Sequence, residues 1–142
     1  GCSPFNAHGL QLRFFDEGDR LMAEWIPEKK FEGYPDVVHG GIQATLLDEI
    51  CAWACYVQAG TAGVTQKMNV SFLNPLRVSR GAVTLKARLM EKGEKEARFE
   101  AQLFDGEGKC CAEAQMIYFI YPVELARKRF HYPGVEAFFE TK

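Results

Sequence analysis

Hydrophobic and polar residues alternate along six segments of the chain, which is the pattern of strands with one buried and one exposed face. A longer segment, residues 40–59, breaks this pattern because it is apolar nearly all round. Such a segment predicts a helix buried in the core, and Gly60 and Gly63 predict where it ends. A short second helix is predicted at residues 123–130. The predicted strands are residues 10–15, 21–26, 64–73, 82–91, 95–104 and 109–121.

The third predicted strand shows the most regular alternation. Its two sets of positions are Val64, Gln66, Met68, Val70 and Phe72 on one side, and Thr65, Lys67, Asn69 and Ser71 on the other. Successive side chains of a strand point to opposite faces of the sheet. We therefore expect Thr65 to share a face of the sheet with Lys67, and Met68 to point to the other face.

The order of the predicted elements indicates the fold class. A hairpin comes first, one long apolar helix follows, and a meander of four strands completes the chain. This order is typical of an α+β protein with an antiparallel sheet, here wrapped around one long central helix. No internal repeat, low-complexity stretch or linker interrupts the 142 residues, so we expect a single domain over 1–142.

Composition and charge exclude several classes of function. A net charge of -2 argues against a general nucleic-acid binder, and no apolar run has the length of a membrane span. The five cysteines form no C-x-x-C pair and the three histidines are scattered, so no metal site is expected. Reduced thiols in a cytoplasmic protein are the simplest interpretation of these cysteines.

The predicted long helix begins with two glycines and carries an acid among apolar neighbours. His39, Gly40 and Gly41 open it, and Asp48 follows two turns later. The N–H groups of a first helical turn have no partner within the helix, and the helix dipole is positive there. A buried carboxylate is costly unless it is paired or takes part in chemistry. Both features favour a binding or catalytic site at this helix.

These residues resemble the hotdog-fold acyl-CoA thioesterase superfamily, of the 4-hydroxybenzoyl-CoA and phenylacetate-pathway type. The helix start and its acid carry most of the resemblance. Weaker likenesses extend it over nearly the whole chain, in residues 6–14, 65–75 and 105–108 and at Gly81.

The resemblance implies an activity and a set of roles. The reaction is hydrolysis of acyl-CoA thioesters to a free acid and CoA, with CoA as part of the substrate and no metal or redox cofactor. The backbone N–H of Gly40 is the oxyanion donor, and Asp48 is the nucleophile or the general base. Thr65 of the partner subunit helps to place the acid or the water, and His39 shapes the pocket. The family's assembly implies a homodimer with two sites at the interface, or a homotetramer of two dimers.

Further residues are candidates for substrate binding. Gly41 adjoins the oxyanion donor, and Glu49 is either a rival acid, about 100° around the helix from Asp48, or a structurally paired one. Arg77, Arg80 and Lys92 are candidates to meet the phosphates of CoA, or they form a solvated basic fringe.

One position departs from the family pattern. Relatives of the phenylacetate-pathway type often carry an asparagine about six residues before the histidine, where this chain has Gly33. Either another group orients the thioester or the water, or the activity is weak. The alternative function is a non-catalytic acyl-CoA-binding or structural hotdog module. The acyl group, and the choice between CoA and acyl carrier protein, stay open.

Overall fold

The computed structural model describes residues 5–138, and its elements follow the predicted order. The strands are β1 (Arg13–Asp16), β2 (Leu21–Trp25), β3 (Gly63–Phe72), β4 (Val83–Lys92), β5 (Glu96–Phe104) and β6 (Cys110–Ile120). The helices are α1 (Gly40–Ala54), continued by a π-helical turn (Cys55–Ala59), and α2 (Val123–Phe130). Short 3₁₀ turns lie at Lys29–Phe31, Val78–Arg80 and Val135–Phe138.

The six strands form one antiparallel sheet in the order β1-β2-β4-β5-β6-β3. Helix α1 packs on this sheet and contacts β2, β3, β4, β5 and β6. Leu46, Leu47 and Ile50 of α1 are completely buried in the core between helix and sheet. The predicted α+β class, with an antiparallel sheet wrapped around one long helix, is therefore confirmed.

The helix predicted at residues 40–59 is present, and its last turn has π geometry. Gly60 ends it with a φ of 71°, a left-handed conformation that glycine adopts without strain. Gln58 in the π turn donates from Nε2 to the carbonyl of Asp19 at 3.0 Å and accepts from the N–H of Leu89 at 2.6 Å. The end of the helix is thus tied to the β1–β2 turn and to β4.

The first strand is shorter than predicted. Leu10 and Leu12 are buried, as the alternation requires, but they lie outside the sheet ladder. Between them, Gln11 has a φ of 56°, which breaks the extended backbone. Regular pairing with β2 therefore begins only at Arg13.

The strict alternation predicted for β3 is wrong at one point. Thr65 lies opposite Tyr118 of β6, whereas Lys67 lies opposite Ile117, so Gln66 is an extra residue in a β-bulge. Beyond the bulge, Met68 faces the buried Met116. The extra residue places Thr65 and Met68 on the same face of the sheet, the one that α1 covers.

The two edges of the sheet differ in length. The edge strand β3 has ten residues, and most of its side chains are exposed, with Val64 at 45% and Phe72 at 53%. The opposite edge strand β1 has four residues. Within residues 5–138, no helix combines the length and the apolar character needed to cross a lipid bilayer.

Candidate active site

The start of α1 leaves one backbone donor available. His39 is the N-cap, and its Nδ1 accepts from the N–H of Gly41 at 2.9 Å. The N–H groups of Ile42 and Gln43 both donate to the carbonyl of His39, at 3.0 and 3.1 Å. Among the described residues, the N–H of Gly40 has no acceptor. It is therefore the donor of this turn that remains for a bound oxygen.

Different features of the structure explain why glycine stands at positions 40 and 41. A Cβ on Gly41 would lie 3.1 Å from two atoms of the His39 ring, so glycine there makes room for the histidine cap. A Cβ on Gly40 would meet only the ring of Phe72, at 3.7 Å. Gly40 faces an open pocket of about 360 Å³ that Gln43 and Phe72 also line. The available N–H thus lies beside space that a ligand can enter.

Gln43 lines this pocket and has a partly unused amide. Its Nε2 donates to the carbonyl of Val38 at 2.9 Å. Its Oε1 is buried and has no hydrogen-bond partner in the described part of the chain. Because Gln43 sits one turn into an apolar helix, its sequence position gave no signal of this.

The loop before α1 is tied down from outside the helix. Asp36, with a φ of 64°, accepts from both the N–H and the Oγ of Ser79, at 2.8 and 2.6 Å. These hydrogen bonds hold the pKa of Asp36 below its usual value, and Arg77 adds to the effect from 3.9 Å. Gly33 lies in the same loop, where a Cβ would be 3.4 Å from the Cα of His39. The position that lacks the family's asparagine is therefore next to the helix cap.

Asp48 is held by two hydroxyl groups. Its Oδ1 accepts from the Oγ1 of Thr65 and from the Oη of Tyr118, each at 2.6 Å. Distances of this size are typical of a hydroxyl donating to an ionised carboxylate. The Oδ2 of Asp48 has no hydrogen-bond partner within residues 5–138. One carboxylate oxygen is thus fixed and the other is available for chemistry.

The contact with Thr65 lies within one chain. The resemblance implied that this hydroxyl comes from the partner subunit, but the same chain's Thr65 reaches Asp48. The bulge at Gln66 explains the contact, because it brings Thr65 to the face of the sheet that α1 covers.

Tyr118 was not predicted as a site residue. It is 1% exposed, and its hydroxyl also lies 2.8 Å from the backbone carbonyl of Asp48. Burial, and then the bond to Asp48, raise the pKa of Tyr118 far above its usual value, so the hydroxyl stays protonated. In the sequence it lies between Ile117 and Phe119, where an aromatic residue is normally part of the core.

The remaining candidates do not form one cluster. Glu49 is half-buried and makes no ion pair in the described part of the chain. Arg77 lies beside the loop that precedes α1, where it pairs with Val37 in an isolated bridge. Arg80 is engaged by Asp105 at 3.1 Å and by Glu107 at 3.5 Å.

Lys92 lies far from these two arginines. It ends β4, a strand that packs on the π turn, and its charge acts on the pKa of Cys55, which burial raises to about 12. Cys55 is about 22 Å from Gly40 along the helix axis, at 1.5 Å per residue. The three basic residues therefore do not form a single patch within one chain.

Comparison with known proteins identifies relatives in sequence. A family model described as the thioesterase superfamily matches residues 36–112. The uncharacterized mitochondrial membrane protein FMP10 of Saccharomyces cerevisiae is 29% identical over 82 residues, which are 56% of this chain and 33% of that protein. Acyl-coenzyme A thioesterase 13 of Mus musculus is 26% identical over 77 residues, 54% of each chain. The matches thus span about a third and about half of these two relatives.

Solved structures share the fold. Smu.793 from Streptococcus mutans, bound to acetyl CoA, has a TM-score of 0.72 at 18% identity, over 79% of this chain and 90% of that one. The E. coli PaaI protein from the phenylacetic acid degradation operon has a TM-score of 0.72 at 18% identity, over 80% and 82%. The predicted hotdog fold and the likeness to phenylacetate-pathway proteins are therefore confirmed at the level of fold.

Proposed function

Because the thioesterase family model matches residues 36–112, the chain belongs to that superfamily, and we propose that it hydrolyses acyl-CoA thioesters to a free acid and CoA. One observation carries the proposal. The carboxylate of the half-buried Asp48 is fixed through Oδ1 by two hydroxyls, while its Oδ2 has no partner within residues 5–138. A carboxylate held in this way is suited to remove a proton from a water molecule.

The proposed reaction uses two groups of α1, the carboxylate of Asp48 and the backbone N–H of Gly40. The Oδ2 of Asp48 takes a proton from water as the water oxygen bonds to the thioester carbon. The N–H of Gly40 donates to the oxyanion that forms, and one such donor is worth about 3 kcal/mol in the transition state. When the intermediate collapses, the C–S bond breaks, the thiolate takes the proton from Asp48, and the acid and CoA leave.

The spacing of these two groups supports a site shared between two chains. Gly40 and Asp48 are eight residues apart, or about 12 Å along the helix axis. A thioester carbonyl oxygen about 3 Å from its donor, with a water about 3 Å from its base that attacks the carbonyl carbon, spans a shorter distance. We therefore pair Gly40 of one chain with Asp48 of a second.

The long edge of the sheet offers a place for that second chain. Strand β3 presents an unpaired row of backbone groups and the exposed side chains of Val64 and Phe72. Such an edge is a ready template for pairing with another strand. Two copies joined edge to edge through β3 form the homodimer that we propose, and a tetramer would pair two such dimers.

Acyl-CoA is the substrate class that we propose. The name of the mouse relative specifies acyl-coenzyme A, and the streptococcal protein was crystallised with acetyl CoA. Of the basic candidates, Arg80 is the least available for the CoA phosphates, because its guanidinium is held by Asp105 at 3.1 Å and by Glu107 at 3.5 Å.

A non-catalytic acyl-CoA-binding module is the second candidate. Gly33 favours it, because no side chain stands where many relatives place an asparagine. Binding without turnover would separate this function from hydrolysis.

Thiol release from a panel of acyl-CoAs tests the proposal. We expect the unsubstituted chain to release CoA from at least one member, and Asp48→Ala to lower that rate at least about 100-fold. Glu113→Ala is the matched control, because this carboxylate is exposed on the outer face of β6. Equal rates for the unsubstituted chain and Asp48→Ala contradict the proposal, and binding without release supports the module.

A further inference from the structure

The hydroxyl of Tyr118 is built into the carboxylate site from the opposite side of the core. Tyr118 lies on β6, whereas Asp48 lies on α1, and the two meet at 2.6 Å. The aromatic ring is fixed by an edge contact with Phe99, at 5.4 Å between centroids. The strand thus delivers a rigid donor to a group on the helix.

The direction of this hydrogen bond follows from the chemistry of its partners. An ionised carboxylate and a backbone carbonyl only accept, and the hydroxyl of Tyr118 lies within reach of both on Asp48. The phenol must therefore donate. Thr65 donates to the same Oδ1 from β3, so two strands hold one oxygen atom.

We propose that Tyr118 is a positioning residue for the thioesterase reaction, which fixes Oδ1 of Asp48 so that Oδ2 faces the substrate. This inference rests on the proposed function. Tyr118 is 1% exposed, too buried to meet a substrate directly, and therefore acts through Asp48. A carboxylate on two freely rotating bonds would spend part of its time in other rotamers, and the paired hydroxyls prevent this.

Tyr118→Phe is the direct test, because it removes the hydroxyl and keeps the ring that packs on Phe99. We expect kcat to fall about 10- to 100-fold while KM changes less than about twofold. The reason is that a misplaced Asp48 carboxylate affects the reacting complex and not the binding of the substrate. In an Asp48→Asn background, the same substitution should have no further effect on the residual rate.

Tyr121→Phe is the matched control. Tyr121 follows β6 directly, and its ring packs on Phe119 and Phe130 while its hydroxyl makes no hydrogen bond within residues 5–138. We expect unchanged kcat and KM. If Tyr118→Phe also leaves kcat unchanged, or lowers the residual rate of Asp48→Asn, the positioning role is wrong.

A second measurement does not depend on turnover. In protein labelled with ¹³C at the tyrosine Cζ, the hydroxyl proton of Tyr118 should give a slowly exchanging NMR signal that moves in Asp48→Ala. An unchanged signal overturns the inference even in an active enzyme. A signal that moves in a chain that hydrolyses no acyl-CoA overturns the proposed function and, with it, the catalytic role of the contact.

Discussion

Asp105 illustrates, at the residue scale, how the fold holds a buried carboxylate ionised outside the candidate site. Its side chain has no exposed surface, and its Oδ1 accepts from the N–H groups of Glu107 and Lys109, each at 2.9 Å. Burial alone would raise the pKa of Asp105, but these donors and the Arg80 guanidinium outweigh it and lower the pKa. Arg80 therefore serves this turn structurally.

The effect on stability can be measured with Asp105→Asn. We expect the variant to lose about 2 kcal/mol of unfolding free energy at pH 7, because a charge-assisted hydrogen bond is removed from a buried site. A carboxylate whose folded pKa is below its unfolded one stabilises the fold above the unfolded value, and the effect is lost as pH falls through the folded value. Urea unfolding should thus show the difference shrinking below about pH 4.

Glu107→Gln is the control for this prediction. Glu107 also contacts Arg80, but its side chain is 66% exposed. We expect a change below about 0.5 kcal/mol at every pH, since exposed ion pairs contribute little. A loss in Asp105→Asn that stays constant down to pH 3 would contradict the linkage to ionisation.

At the scale of elements, the bulge in β3 decides which side chains reach the helix. Gln66 is the extra residue, with Thr65 and Met68 on the buried face on either side of it. Removing Gln66 would leave Thr65, Lys67 and Met68 in regular alternation with their present faces. Removing a single residue beyond the bulge, such as Asn69, would instead turn one part of the strand over.

Two deletions test this description of the bulge. We expect deletion of Gln66 to cost less than about 1 kcal/mol of unfolding free energy, because no core side chain changes face. Deletion of Asn69 should cost more than about 2 kcal/mol, because either Met68 or Val70 must leave the covered face. Thermal unfolding of both variants measures the difference. Equal losses would show that Gln66 is part of the regular ladder.

Much of the fold was predictable because the period of hydrophobic residues and the positions of turn residues are local signals in the sequence. The helix at residues 40–59 and the later strands needed only shifts of one or two residues. Gly40 and Asp48 were singled out by the glycines at the helix start, the acid among apolar neighbours and the family resemblance. The bulge was not predictable, since an extra residue is accommodated by the partner strand and leaves no pattern of its own. Tyr118 was missed for a different reason: an aromatic residue between Ile117 and Phe119 is normally part of the core, and its contact with Asp48 joins elements far apart in the sequence.

At the scale of the whole molecule, the site that we propose joins Gly40 of one chain to Asp48 of a second. In that arrangement, a dimer mixed from Gly40→Pro and Asp48→Asn chains would have one site with both groups intact and one with neither. Proline at the first helical position removes the N–H and is compatible with the helix start, where His39 has a ψ of 136°.

We expect the purified mixed dimer to have about half of the unsubstituted activity, while each variant alone is nearly inactive. Co-expression with two affinity tags isolates the mixed species, and thiol release measures its rate. If both groups acted from the same chain, each site of the mixed dimer would carry one defect. An inactive mixed dimer would therefore contradict the shared site.

The unequal edges of the sheet also limit how far association can go. A ten-residue edge at β3 stands against a four-residue edge at β1, which begins with Arg13 and ends with Asp16. In the language of polymer chemistry, each chain is a monofunctional unit with respect to sheet extension. In the dimer that we propose, the two β3 edges pair and leave only the short β1 edges, so we expect growth of the sheet to terminate at two copies and not to propagate into a fibre.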